Sequence, residues 1–283
     1  MASWSQWLLD DGEIMIGIIQ FDSLGLSPDL FRVGNFAVRY YGLAYLFGIF
    51  IGWWLLKRML SRSNPPMTGE QVDEFIIWAT LGIILGGRLG YVLFYSPVGY
   101  LSNPLNLFAV WKGGMAFHGG VAGVAIATAI FAWRSGLNWL RLCDYVVCVY
   151  PLGHFLGRLA NFVNGELWGR PTDGSWGIIF PLAGPEPRHP SQLYQAGLEG
   201  VLPFLILLWL FWRTDMRHYP GRLSGTFFIM MGVARFILEY FREPDRDLGI
   251  LSTGLTMGQT LSLPMIVVGI LVIVTSGKRR VFQ

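Results

Sequence analysis

Gly157-Arg158-Leu159-Ala160-Asn161-Phe162-Val163-Asn164-Gly165-Glu166-Leu167-Trp168-Gly169-Arg170 decides how this chain is to be read. The segment it ends is otherwise apolar enough to cross a membrane, yet the stretch itself carries two arginines, two amides and a carboxylate. An ionised side chain in hydrocarbon costs at least ~2.5–3.5 kcal/mol on insertion scales, so its presence there points to function. Arg39, Arg88, Arg235, His118, Glu199 and Glu239 also fall inside or at the edge of apolar segments.

Composition agrees. Of 283 residues, 53% are hydrophobic and 14% charged, against a charged share of about 25% in soluble domains. About seven segments approach the roughly 20 apolar residues of a spanning helix: 36–56, 74–95, 115–133, 142–163, 192–212, 222–241 and 256–276. Strands with open edges cannot satisfy their backbone in lipid, and no ten-residue alternation supports a barrel. The expected fold is therefore all-α, a polytopic bundle of about seven transmembrane helices with an external arm or head. It divides into an N-terminal external or interfacial segment (1–35), the helical domain (36–276) with an insert at 164–191, and a basic tail (277–283). The acidic residues Asp10, Asp11 and Glu13 precede the short patch Ile14–Phe21, which does not read as a signal peptide. That patch is expected to lie along the surface or pack against the body.

Loop charge sets the orientation. One set of loops holds Lys57, Arg58, Arg62, Arg134, Arg141, Arg213, Arg217, Arg222, Lys278, Arg279 and Arg280. The longer loops hold only Arg32, Lys112, Arg170, Arg188, Arg242 and Arg246. The first set is expected in the cytoplasm, which puts the N-terminus outside and the C-terminus inside. At a rise of ~1.5 Å per residue, the intramembrane polar residues then lie within roughly 10–12 Å of the outer interface. They form one layer at the depth of lipid phosphates and glycerol esters. The insert 164–191 is longer than an ordinary connection and is a candidate lid or recognition arm.

Arg158 and Asn161, at i and i+3, share a helix face, and Asn164, Gly165 and Glu166 follow where that helix should end. A guanidinium fork beside amides suits a phosphodiester. Arg235 and Glu239, at i and i+4, are placed to neutralise one another. Arg88 has Tyr91 and Tyr95 on its face and Glu199 as a possible partner. His118 sits among glycines in Gly113-Gly114-Met115-Ala116-Phe117-His118-Gly119-Gly120, which let a headgroup or peptide approach. Histidine titrates near neutral pH and suits a general base. His154 and His189 are weaker candidates, and His218, among basic residues on the cytoplasmic side, reads as a solvated loop residue. Cys143 and Cys148 read as small buried hydrophobes, with no metal site and no disulfide framework. The net charge of +3 is small and spread out, so no nucleic-acid partner is expected. No zinc helix, P-loop or nucleophile elbow is present.

Gly86–Tyr91, Gly113–Gly120, Gly157–Arg170, Arg188–Tyr194 and Arg235–Asp245 resemble, in order and context, the bacterial phosphatidylglycerol–prolipoprotein diacylglyceryl transferases. The resemblance runs from about Tyr40 to the last span. It implies an inner-membrane enzyme without metal or cofactor. Its substrates would be phosphatidylglycerol and the lipobox cysteine of a preprolipoprotein, its products a thioether and glycerol phosphate. Carried over by motif, His118, Arg158, Asn161, Asn164, Glu166, Gly169 and Arg235 match functional positions, and Tyr41 matches a tyrosine on the first span. Arg158, Arg235 and His118 are the expected catalytic residues, with Tyr41, Arg88, Asn161, Asn164, Glu166, Gly169 and Glu239 around the substrate. Two departures stand out: Ala160 replaces a usual glycine, and Met231 stands where some members carry tyrosine. A different phospholipid-headgroup enzyme, a lipid flippase or transporter, and a purely structural bundle are the alternatives.

Overall fold

The computed structural model describes residues 18–34, 36–62, 64–95, 107, 113–174, 176–243 and 251–281. Residues 14–17 of the apolar patch, Lys112, Asp245 and Arg246 lie outside them. Helices dominate: α1 (Tyr40–Met59), α2 (Gly69–Tyr95), α3 (Phe117–Arg134), α4 (Trp139–Val163), α5 (Ser191–Gln195), α6 (Leu202–Arg213), α7 (Arg222–Leu238) and α8 (Met257–Ser276). A π-helical stretch, Ala196–Val201, joins α5 to α6, making one continuous rod. Among the described residues, four helical segments are long and apolar enough to cross a membrane: Gly69–Phe94, Trp139–Val163, Ser191–Arg213 and Met257–Arg279. Helices α1, α3 and α7 occupy the positions of the other three expected spans.

The expected first span needs one correction. Phe36–Arg39 is not helical but forms strand β3, antiparallel to β2 (Asp29–Val33), with Val33 opposite Phe36. Gly34, directly after β2, stands at φ 58°, in the left-handed region that glycine enters without steric cost. Arg39 is thereby placed on a strand, largely exposed and 3.6 Å from Asp29, rather than within the helix.

The chain forms two compact units. The first comprises the described residues of Met1–Gly48, with Tyr150–Trp209 and Gly225–Val274; the second comprises Ile49–Val149, Leu210–Ser224 and Thr275–Gln283. In the first unit, β1 (Ile19–Gln20) pairs parallel with β4 (Ile178–Ile179), bringing the N-terminal segment onto the 164–191 insert. Phe21, Ile178 and Phe180 are buried there, with Phe162, Trp168 and Ala183 packed against them.

In the second unit α2 and α3 meet through small residues. A Cβ on Gly86 would lie 2.7 Å from the Gly123 Cα, and one on Gly90 would lie 2.8 Å from the Gly119 Cα. Side chains at these glycines would hold the backbones apart, which is how small residues permit close helix contact in lipid. Asp144 is 1% exposed and accepts three hydrogen bonds of 2.7 Å, from Gly221 N, Ser224 N and Ser224 Oγ. It satisfies backbone donors at the start of α7 that would otherwise be orphaned. The basic tail folds back, with Arg279 Nε on the Pro220 carbonyl (2.9 Å) and Val281 N on the His218 carbonyl (2.9 Å). Both cysteines are free, and Cys148 is buried.

Candidate active site

The signature stretch ends a helix in a way its sequence foretells. After Val163 the chain turns with Gly165 at φ 64°. Gly165 N donates to Phe162 O (2.9 Å) and Glu166 N to Asn161 O (3.1 Å). These two bonds around a left-handed glycine are the Schellman pattern, which satisfies the last carbonyls of α4. The reversal swings the Glu166 carboxylate back over the final turn. Its Oε1 accepts from Asn161 Nδ2 (2.9 Å) and Asn164 Nδ2 (3.1 Å). With both amides oriented this way, Asn161 Oδ1 faces Arg158 Nη1 at 3.4 Å. Ala160, at the place of the usual glycine, is 3% exposed, so its methyl is accommodated in the packing.

Arg158 is half-buried, and among the described residues no carboxylate lies within 4.0 Å of it. Its remaining neighbour is His154 Nε2, 3.4 Å from Nε. That nitrogen is also 2.9 Å from Glu199 Oε2. One ring nitrogen cannot donate to a carboxylate and accept from a guanidinium together. The shorter contact is the hydrogen bond, so His154 donates to Glu199 and presents only its ring to Arg158. Glu199 rides on the π-helical stretch and its side chain is 2% exposed. Local π geometry re-aims side chains and recurs at functional sites. A Cβ on the next residue, Gly200, would lie 2.7 Å from the Phe155 Cβ, so the turn packs tightly on α4.

Arg235 is held differently. It reaches Glu239 at 3.0 Å and Glu199 at 3.7 Å. Glu239, 2% exposed, also takes Arg242 at 3.2 Å and the Thr256 hydroxyl at 2.9 Å. Gly258 leaves room for it: a Cβ there would stand 2.5 Å from the Glu239 carboxyl carbon. Arg170 spends its donors on the carbonyls of Arg242 (2.9 Å) and Glu239 (3.4 Å), tying the insert to the end of α7. Arg235 and Arg242 are thus the guanidiniums held by Glu199 and Glu239, whereas Glu166 is held by two amides and Arg158 has no carboxylate within 4.0 Å among the described residues.

The remaining expected residues fall as follows. Tyr41 is 36% exposed and packs on Tyr45, ring centroids 5.4 Å apart. Gly169 is fixed by close approach: a Cβ would lie 2.8 Å from the His189 Cβ and press on the Phe241 carbonyl. His189 packs on Phe241 (5.2 Å) and Tyr194 (5.9 Å), and burial pushes its imidazole below the ordinary range while Asp173 raises it. Met231 is buried, 9% exposed. The first unit therefore gathers Tyr41, Arg158, Asn161, Asn164, Glu166, Gly169, Arg235 and Glu239, together with His154, Glu199 and Arg242. Arg88 and His118 belong to the second unit. Arg88, 3% exposed, donates to the carbonyls of Leu107 (3.0 Å), Gly113 and Gly114 (3.0 Å), so the expected pairing with Glu199 gives way to backbone contacts. Those contacts fix the glycine loop that leads into α3, whose second residue, His118, is exposed.

The His154–Glu199 bond is the part of the site that sequence reading missed. The partners are 45 residues apart. The available signal was that both lie one helical turn or less from other polar residues in an apolar segment. Arg242 as a second partner of Glu239 follows the i, i+3 spacing and was legible in principle.

Comparisons with known proteins identify the family. The family model described as prolipoprotein diacylglyceryl transferase matches residues 28–275. A phosphatidylglycerol–prolipoprotein diacylglyceryl transferase of Zymomonas mobilis subsp. mobilis is 51% identical over 278 residues, covering 95% of this chain and 97% of its own length. Proteins of the same name from Erythrobacter litoralis and Rhodospirillum rubrum are each 51% identical, over 93% and 90% of this chain and 93% and 94% of their own. With a match across nearly all of its helical body and relatives at half identity, the chain belongs to the prolipoprotein diacylglyceryl transferase family.

Proposed function

We propose that this chain transfers the diacylglyceryl group of phosphatidylglycerol to the thiol of a lipobox cysteine, forming a thioether and releasing glycerol phosphate. The observation that carries the site assignment is Arg158: a half-buried guanidinium without a carboxylate within 4.0 Å among the described residues, beside a neighbour already saturated by two. In the reaction a C–O bond at the diacylglyceryl carbon breaks, a C–S bond forms, and the phosphate leaves as an anion. Arg158 receives that phosphate and stabilises the charge developing on it. Arg235, steadied by Glu199 and Glu239, supplies a second positive charge. Asn161, Asn164 and Glu166 hold the face on which the headgroup lies, and Tyr41 and Gly169 line its approach.

The incoming thiol has a free pKa of ~8.5 and attacks as thiolate. His118 takes the thiol proton; the chemistry of imidazole supports this reading, as does its position at the start of α3, directly after the glycine loop that Arg88 holds. The chain sits in the cytoplasmic membrane with about seven spans, N-terminus periplasmic and C-terminus cytoplasmic. The loop charge supports that orientation, since the shorter loops are the more basic. The insert 164–191, packed on β1 and tied to α7 through Arg170, is the periplasmic arm.

The test incubates purified protein with phosphatidylglycerol vesicles and a lipobox peptide and weighs the peptide by mass spectrometry. A diacylglyceryl mass gain on cysteine, lost in His118→Ala and Arg158→Ala, is expected. Lipid consumption without peptide modification would replace the reading by a headgroup enzyme, and no change in either would remove it.

A further inference from the structure

A second place in the molecule is built to hold an anion, far in sequence from the signature stretch. At the end of α1, in the second unit, a cavity of about 410 Å³ is lined by Trp54, Lys57, Arg58 and Ser61, with Trp212 closing it from the end of α6. Its cations are not equivalent. Lys57 is neutralised, 2.7 Å from Asp73, which Trp53 Nε1 also holds at 2.6 Å. Arg58 is exposed, its guanidinium 5.9 Å from the Trp54 ring centroid, and among the described residues no carboxylate lies within 4.0 Å of it. Ser61 Oγ donates to the Arg58 carbonyl at 2.9 Å. The Trp212 wall is fixed from behind by Arg62, stacked 4.5 Å from the ring and bonded at 3.2 Å to the Trp212 carbonyl.

The setting decides the ligand class. Twenty residues of α1 run from Tyr40 to Met59, so Trp54 and Arg58 fall on its last turns, where an apolar helix meets headgroups. Tryptophan and arginine at that depth are the residues that anchor at lipid interfaces. One unneutralised guanidinium, a hydroxyl and two indole faces match a phosphodiester with a glyceride attached. We propose that this cavity binds the headgroup of an anionic glycerophospholipid, with phosphate on Arg58 and the glyceride against Trp54 and Trp212. Basic pockets between helix ends are suited to such recognition, each basic residue near an anionic surface adding about 1 kcal/mol. The site is separate from Arg158 in the chain and in compact unit, and the proposal rests on the membrane setting rather than on the transfer chemistry.

Native mass spectrometry of the detergent-purified full chain tests it by counting bound phosphatidylglycerol, with phosphatidylcholine and inorganic phosphate as separate arms. Arg58→Gln should bind one phosphatidylglycerol about five-fold more weakly than wild type, while Arg58→Lys stays within about two-fold. Turnover of lipobox peptide should be unchanged in both. Equal phosphatidylglycerol occupancy in wild type and Arg58→Gln, with the protein folded, overturns the proposal. Equal retention of phosphatidylcholine at the same site, or displacement of the lipid by millimolar phosphate, overturns the lipid assignment.

Discussion

Arg158 and Arg235 are both arginines near the same carboxylates, yet the structure predicts opposite consequences for losing them. Among the described residues, the polar contacts of Arg158 are an imidazole ring and an amide oxygen, each at 3.4 Å. Bonds that long contribute little, so Arg158→Gln should cost no more than about 1 kcal/mol of stability. It leaves no carboxylate newly unpaired. If phosphate departs onto this fork, removing it forfeits about 2.7–4 kcal/mol of transition-state stabilisation, roughly 10²–10³-fold in turnover. Arg158→Lys keeps the charge and loses the planar pair of donors, so it should recover only part of that loss. Arg235→Gln is the contrast. It withdraws a partner from Glu199 and Glu239, both 2% exposed. Breaking a buried pair from one side costs about 3–5 kcal/mol, and the low end applies because Glu239 retains Arg242 and Thr256. Initial rates of peptide mass gain, beside thermal unfolding in detergent, separate the two. A lysine variant with wild-type turnover, or an Arg158→Gln protein destabilised as much as Arg235→Gln, would refute the reasoning.

Three further outcomes follow from packing and titration. Gly258→Ala puts a methyl 2.5 Å from the Glu239 carboxyl; the forced shift of Glu239 should lower turnover at least ten-fold, at an overpacking cost of about 1–3 kcal/mol read in the melting temperature. Gly86→Ala should part α2 from α3, where the added carbon would meet Gly123 Cα at 2.7 Å, and lower thermal stability by a similar ~1–3 kcal/mol without altering lipid affinity at Arg158. His218, 4% exposed, has an imidazole pushed below its ordinary 6.5 by burial, then by Arg217, Arg141 and Arg280, with Asp215 opposing. The unfolded ring then takes a proton before the folded one does, so this contribution to stability is whole above about pH 6.5 and is lost as pH falls through the lower folded value. His218→Asn should flatten the fall of melting temperature between about pH 7 and 5, and an unchanged slope would show that another group titrates there.

Legibility followed the range of the interaction. The helix end at Gly165, the shared face of Arg158 and Asn161 and the pairing of Arg235 with Glu239 lie within one turn or a few residues, and each was readable from spacing and glycine position. The hairpin before α1 was less legible, because the apolar run Phe36–Val38 is nearly continuous with α1 and hydropathy alone extends the span over it. The partners of Arg88 were not legible, because backbone carbonyls carry no sequence signature and any arginine in an apolar helix invites a carboxylate partner.

Glu199 shows why the distribution of charge needed coordinates. From sequence it was one acidic residue among several arginines, free to neutralise any of them. The π-helical stretch and the 2.9 Å bond to His154 fix it toward the imidazole and, at 3.7 Å, toward Arg235. Had it rotated onto Arg158, that guanidinium would be neutralised, and Arg235 and Arg242 would share the single carboxylate of Glu239. If that contact is what holds the carboxylate off Arg158, removing the His154 donor has a readable consequence. His154→Leu should let Glu199 swing to Arg158 and raise the KM for phosphatidylglycerol more than it lowers kcat. His154→Gln, which keeps an N–H within reach of Glu199, should restore much of the affinity. A leucine variant with unaltered KM would mean that the backbone alone aims Glu199.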